Sequence, residues 1–107
     1  RALLRRAGPG KGAQVSGVTL DPASHALVSG DARVRLTPTE FRILAALFAR
    51  PGEAVRRKEL VRAGWPHGAI VNDNTLDAYI ARVRRKLREL PDAPEVGTVH
   101  GVGYEIR

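Results

Sequence analysis

An α+β fold, with β segments at both ends and three helices between them, is predicted by three features of the sequence. Residues 15–36 fall into short alternating runs separated by turn residues. Residues 37–90 carry apolar side chains at helical spacing, and residues 98–106 alternate again around two glycines. The order is β-β-β-α-α-α-β-β, and 107 residues suit one domain of ordinary size. No internal repeat is visible.

The stretch RALLRRAGPGKGAQ, residues 1–14, holds Arg1, Arg5, Arg6 and Lys11 without an acid, then Gly8, Pro9, Gly10 and Gly12. Glycine and proline at that density oppose regular structure, so an interdomain linker or a plain tail is expected there, with the domain proper over 15–107. Val15, Val18 and Leu20 make the first strand, closed by a turn at Asp21-Pro22. Ala26, Leu27 and Val28 make the second, closed at Ser29-Gly30-Asp31, and Arg33 to Leu36 alternate as the third.

Thr37 is the expected cap of the first helix. Pro38 fits its first position, Glu40 completes a capping box, and Leu36 with Phe41 occupies the hydrophobic-staple positions. Phe41, Leu44, Ala45 and Phe48 recur at helical spacing, with Leu47 widening the stripe, until Pro51-Gly52 ends it. A shorter helix is expected from about Arg57 to Gly64, with Leu60 and Val61 inward, Arg56 as a poor cap and Pro66 blocking extension. The longest helix is expected over roughly Asp73 to Leu90, where Leu76, Ile80, Val83 and Leu87 form one buried stripe. Thr98-Val99-His100 and Tyr104-Glu105-Ile106 then make a hairpin whose glycines, Gly101 and Gly103, allow positive φ.

Composition removes several functions. With no cysteine, disulfide scaffolds, thiolate metal sites and cysteine nucleophiles are excluded, and His25, His67 and His100 lack metal-ligand spacing, so no metal or cofactor is expected. No apolar run approaches the roughly 18 residues that span a bilayer, so no membrane partner is expected. Asp73 and Asp77 could suggest acid–base work, but capping and the helix dipole explain them better, and the GxG of the hairpin lies between strands rather than around a phosphate. Tyr79 is expected beside the core stripe with its hydroxyl outward, and Trp65 as a core or hinge residue. What remains is a basic domain, with 18 Lys and Arg against 11 Asp and Glu and a net charge of +7. Such a balance favours a polyanion as partner.

The longest helix shows how one would be read. At about 100° per residue, its face opposite the apolar stripe carries Asn74, Thr75, Ala78, Ala81, Arg82, Arg85 and Glu89. Small and polar side chains in the first half let a helix approach base edges, and arginines further on can grip guanine or phosphate. The preceding helix makes a helix-turn-helix with it, in a variant with the long connection 65–71. The hairpin that follows would lie beside it as a wing at the minor groove or backbone, presenting Thr98 and His100. A protein-interaction module would need an acidic or apolar outer face, whereas this one is basic. A non-specific architectural or RNA-binding protein would bind any duplex equally.

The strings TPTEFRILAAL (37–47), ELVRAGW (59–65), NTLDAYIARVRRKL (74–87) and TVHGVGYEIR (98–107) resemble the DNA-binding effector domain of OmpR/PhoB-type response regulators. The resemblance covers essentially everything from Val15 onward. It implies a winged helix-turn-helix with an N-terminal four-stranded antiparallel sheet, three helices and a C-terminal β-hairpin wing, one strand more than the alternation gives. It also implies sequence-specific binding to double-stranded promoter DNA, bacterial and cytoplasmic, within a two-component phosphorelay that has an upstream receiver domain and a sensor kinase. Two molecules are then expected head to tail on direct repeats, the isolated domain being mainly monomeric, with RNA polymerase a further partner for the 65–71 loop. By position, Thr75, Ala78 and Arg82 fall where relatives meet bases, Asn74 and Arg84 at flanking base or phosphate positions, and Arg57, Trp65 and Tyr104 at backbone-contacting ones. Three positions depart from the pattern. His100 replaces the arginine of RGxGY, Asn74 a commonly basic residue, and Ala81 an arginine found in some members.

Overall fold

The first β region has one strand more than its alternation predicts. A computed structural model describes residues 12–107; the linker expected over 1–14 lies, through residue 11, outside the described residues. Strand β1 (Gln14–Val15) and strand β2 (Val18–Asp21) are separated by a turn at Ser16 and Gly17, both at positive φ. Val15, Val18 and Leu20 all face the core on either side of that turn, so their spacing conceals the reversal. With β3 (Ala26–Ser29) and β4 (Ala32–Arg35) they form an antiparallel sheet in the order β1-β2-β3-β4, the four strands that the resemblance implied.

Helix α1 (Pro38–Phe48) begins as its sequence predicts. The Glu40 amide donates to Thr37 Oγ1 at 3.3 Å, and the Thr37 amide donates to Glu40 Oε1 at 2.8 Å. Its buried face is turned from the predicted stripe: Glu40, Ile43, Leu44, Leu47 and Phe48 are inside, while Phe41 and Ala45 are half-buried. The cause is Glu40, whose carboxylate is only 2% exposed and accepts a hydrogen bond at 2.6 Å from Lys86 Nζ. A charged residue carries no signal in an apolar stripe, so the spacing of apolar residues does not reveal the burial of Glu40 or of Ile43 beside it.

A two-residue strand, β5 (Val55–Arg56), precedes helix α2 (Arg57–Gly64) and was not expected. It is too short to show a period, and it is defined by its partner. β5 pairs antiparallel with β7 (Gly103–Ile106), which pairs with β6 (Val96–Val99), so the hairpin belongs to a three-stranded sheet in the order β5-β7-β6. Gly103 makes this possible, because a Cβ there would collide with the Val55 carbonyl. Helix α2 has no side-chain cap at Arg56, as expected, and its Gly64 packs closely against the Ile43 side chain. Helix α3 (Asp73–Leu87) buries the predicted Leu76, Ile80, Val83 and Leu87. It stops three residues before the predicted end; Leu90 is buried from the turn that follows. One core joins these stripes to Val18, Leu20 and Leu27 of the first sheet and to Val55, Val96, Tyr104 and Ile106 of the second.

Candidate nucleic-acid interface

Because the four buried residues of α3 fix its rotation, the opposite face is set as well. Asn74, Ala78, Ala81, Arg82 and Arg85 are exposed, and Thr75 is half-buried. Within the described residues, Arg82 and Arg85 form no ion pair and no side-chain hydrogen bond. The helix presents small side chains in its first half and exposed cations in its second, the arrangement that its sequence predicts.

The cap of α3 corrects one expectation. Asn72 caps the helix, its side-chain oxygen accepting from the Thr75 amide at 2.9 Å and from the Thr75 hydroxyl at 3.1 Å. Asp77 serves neither as a cap nor chiefly through the helix dipole. It accepts from the Tyr104 hydroxyl at 2.6 Å and from the Arg57 guanidinium at 2.8 Å. Arg57 also donates to the Asp73 carbonyl at 3.1 Å and lies 5.7 Å from the Tyr104 ring centroid. One acid thus ties the start of α2, the start of α3 and the central strand of the wing sheet. The Tyr104 and Arg57 hydrogen bonds hold the Asp77 carboxyl below its usual range. Burial and then Asp77 push the Tyr104 phenol up, and Asp77 first of all raises Arg57.

Arg84 and Thr98, both candidates for DNA contact, bond to each other. Arg84 donates to the Val96 carbonyl at 2.8 Å and to Thr98 Oγ1 at 3.0 Å, and its guanidinium lies 5.5 Å from the Tyr104 ring centroid. It braces α3 against β6. Nine of the eleven candidates therefore divide into two groups. Arg57, Arg84, Thr98 and Tyr104 hold the helix and the wing in register, whereas Asn74, Ala78, Arg82 and Arg85 face outward with Thr75 at their edge. His100 lies exposed in the wing turn, next to Gly101 at φ +77. Trp65 is half-buried at the end of α2 with its ring 5.1 Å from Tyr79, edge to face, and Arg82 lies 4.7 Å over the other ring of that pair.

Sequence reasoning missed Arg56 and Lys58, exposed cations that line a surface cleft with Arg57, Gly101 and Val102. Only the unexpected pairing of β5 with β7 brings them to the wing turn, where the Arg57 amide donates to the Val102 carbonyl at 3.2 Å. Among the described residues no group of three or more His, Asp or Glu could hold a metal ion, and no helix is long and apolar enough to cross a membrane.

Comparison with known proteins agrees with this geometry. The family described as "Transcriptional regulatory protein, C terminal" matches residues 31–106. The chain is 34% identical over 109 residues to the phosphate regulon transcriptional regulatory protein PhoB of Klebsiella pneumoniae, covering 99% of this chain and 48% of that protein. Among solved structures it is similar to the C-terminal domain of the nisin resistance regulator NsrR, a lantibiotic response regulator. That likeness has a TM-score of 0.73 at 33% identity and covers 88% of this chain and 94% of the other. It also shares its fold with the DNA-binding domain of the response regulator AdeR, determined in complex with an intercistronic region, at a TM-score of 0.73 and 23% identity over 88% and 96% of the two chains. The chain spans about half the length of the curated relatives it matches.

Proposed function

Since the chain belongs to the family of transcriptional regulatory protein C-terminal domains, we propose that it binds double-stranded promoter DNA sequence-specifically and carries no catalytic activity. Helix α3 enters the major groove, and the β6–β7 wing meets the minor groove or backbone. The observation that carries this reading is the outward face of α3, where exposed Ala78 and Ala81 permit close approach and Arg82 and Arg85 form no ion pair and no side-chain hydrogen bond among the described residues. Arg82 reads a base, Arg85 and Asn74 flank it, and Thr75 reaches the groove from the capped first turn. Arg56 and Lys58 follow the backbone next to the wing, and Trp65 offers its indole N–H at the loop.

In the longer protein, a receiver domain upstream of residues 1–14, phosphorylated by a sensor kinase in the bacterial cytoplasm, controls this domain. The isolated domain is mainly monomeric and pairs head to tail on direct repeats spaced about one helical turn, roughly 10–11 base pairs. The 65–71 loop, with Ile70 fully exposed, is its surface for RNA polymerase.

Selection from a random duplex library, followed by fluorescence anisotropy across salt, tests the reading. A defined repeat and a linear fall of log affinity with log salt are expected. Arg82→Ala should weaken operator binding by about 1–3 kcal/mol with little change in stability. Equal affinity for operator and scrambled DNA in the wild-type domain would overturn sequence-specific binding.

A further inference from the structure

We propose that Tyr79 is a positioning residue for base reading: it holds the guanidinium of Arg82 in place and is itself held by Trp65. The inference rests on the reading of Arg82 given above and adds how that side chain is aimed. Arg82 and Tyr79 are three residues apart on α3, hence neighbours on its surface. The Arg82 Cζ lies 4.7 Å from the Tyr79 ring centroid, within cation–π range. The Tyr79 ring is half-buried and meets Trp65 at 5.1 Å and 87°, an edge-to-face contact. Trp65 in turn is the C-cap of α2, its amide donating to the Val61 carbonyl at 2.9 Å. A chain of contacts thus runs from the end of α2, across two rings, to an exposed cation on the outward face.

An arginine over a ring keeps its in-plane N–H donors free at the guanidinium edge, the edge that grips guanine in bidentate fashion. Holding it there before DNA arrives removes much of the rotamer freedom that binding would otherwise have to freeze. Arg85, one turn further along, is exposed and has no ring beneath it among the described residues, so it serves as an internal comparison. The Tyr79 hydroxyl bonds to no described residue, which assigns the effect to the ring and makes phenylalanine an adequate replacement.

The test compares Tyr79→Leu and Tyr79→Phe with wild type, measuring affinity for the selected operator and for a duplex substituted at the base that Arg82 reads. Tyr79→Leu should lower discrimination about two- to fivefold, the range expected of an exposed cation–π contact. Tyr79→Phe should keep wild-type discrimination, and Tyr79→Leu should have no further effect on it in an Arg82→Ala background. Without DNA, NMR should show a ring-current upfield shift of the Arg82 side-chain protons in wild type and Tyr79→Phe that is absent in Tyr79→Leu. These readouts are independent of global stability, which thermal unfolding of each variant tracks separately. Unchanged discrimination in Tyr79→Leu with Arg82 dependence intact would overturn the positioning role alone. So would failure of Tyr79→Phe to match wild type. Intact discrimination in Arg82→Ala would overturn the reading of Arg82, and the positioning role with it.

Discussion

Glu40 shows what one buried acid does for this domain. Its carboxylate accepts from the Thr37 amide at the start of α1 and from Lys86 on α3, whose ammonium also donates to the Arg35 carbonyl at 3.0 Å. Burial works to raise its pKa, but the Lys86 and Thr37 hydrogen bonds outweigh burial and hold it below the usual glutamate range. A depressed folded-state value means stability that is fully present above the unfolded value, about 4.3, and lost as pH falls through the folded one. Glu40→Gln should therefore cost about 1–2 kcal/mol at neutral pH, because charge-assisted hydrogen bonds become ordinary ones. The gap from wild type should narrow steadily below about pH 4.3. Urea midpoints measured at a series of pH values check this, and a gap that does not change with pH would contradict it.

Among the elements, the wing depends on a strand that no pattern announces. β5 brings the start of α2 against β7, and it can do so only because position 103 lacks a side chain. Gly103→Ala should force β5 and β7 apart and destabilise the domain by about 1–3 kcal/mol, the usual cost of inserting a methyl into a filled space. Amide exchange should quicken most at Val55, Arg57 and Tyr104; a uniform change across the molecule would argue against a local opening. The helices were legible because each announces itself locally: Thr37-Pro38 with Glu40 for α1, the four-residue apolar stripe for α3, Pro66 after α2. The outward face of α3 was legible for the same reason, since fixing one face of a helix fixes the other. Strands β1 and β5 were not, because a two-residue strand has no period and exists only through its partner. The roles of Arg57, Arg84, Thr98 and Tyr104 were also hidden. Their partners lie 12 to 47 residues away in sequence, a separation at which spacing carries no signal.

At the scale of the whole molecule, two sheets and three helices share a single core, and α1 contributes Ile43, Leu44, Leu47 and Phe48 to it. Neither sheet can lose its packing without exposing side chains that the other also needs, so unfolding should be all or none. Leu44→Ala, at a fully buried position, should cost about 2–5 kcal/mol. Melting followed by far-ultraviolet circular dichroism and by NMR signals from each sheet should give one coincident midpoint, shifted downward; separate midpoints for the two sheets would show two cooperative units. The position of Trp65 has a practical consequence of its own. It is the sole indole in the chain, half-buried, in contact with Tyr79, at the end of α2 where the 65–71 loop begins. Its emission therefore reports on one corner of the molecule and nowhere else. Quenching by a soluble acrylamide probe, with and without DNA or polymerase, would read events at that loop from the native chain, with no dye attached and no residue replaced.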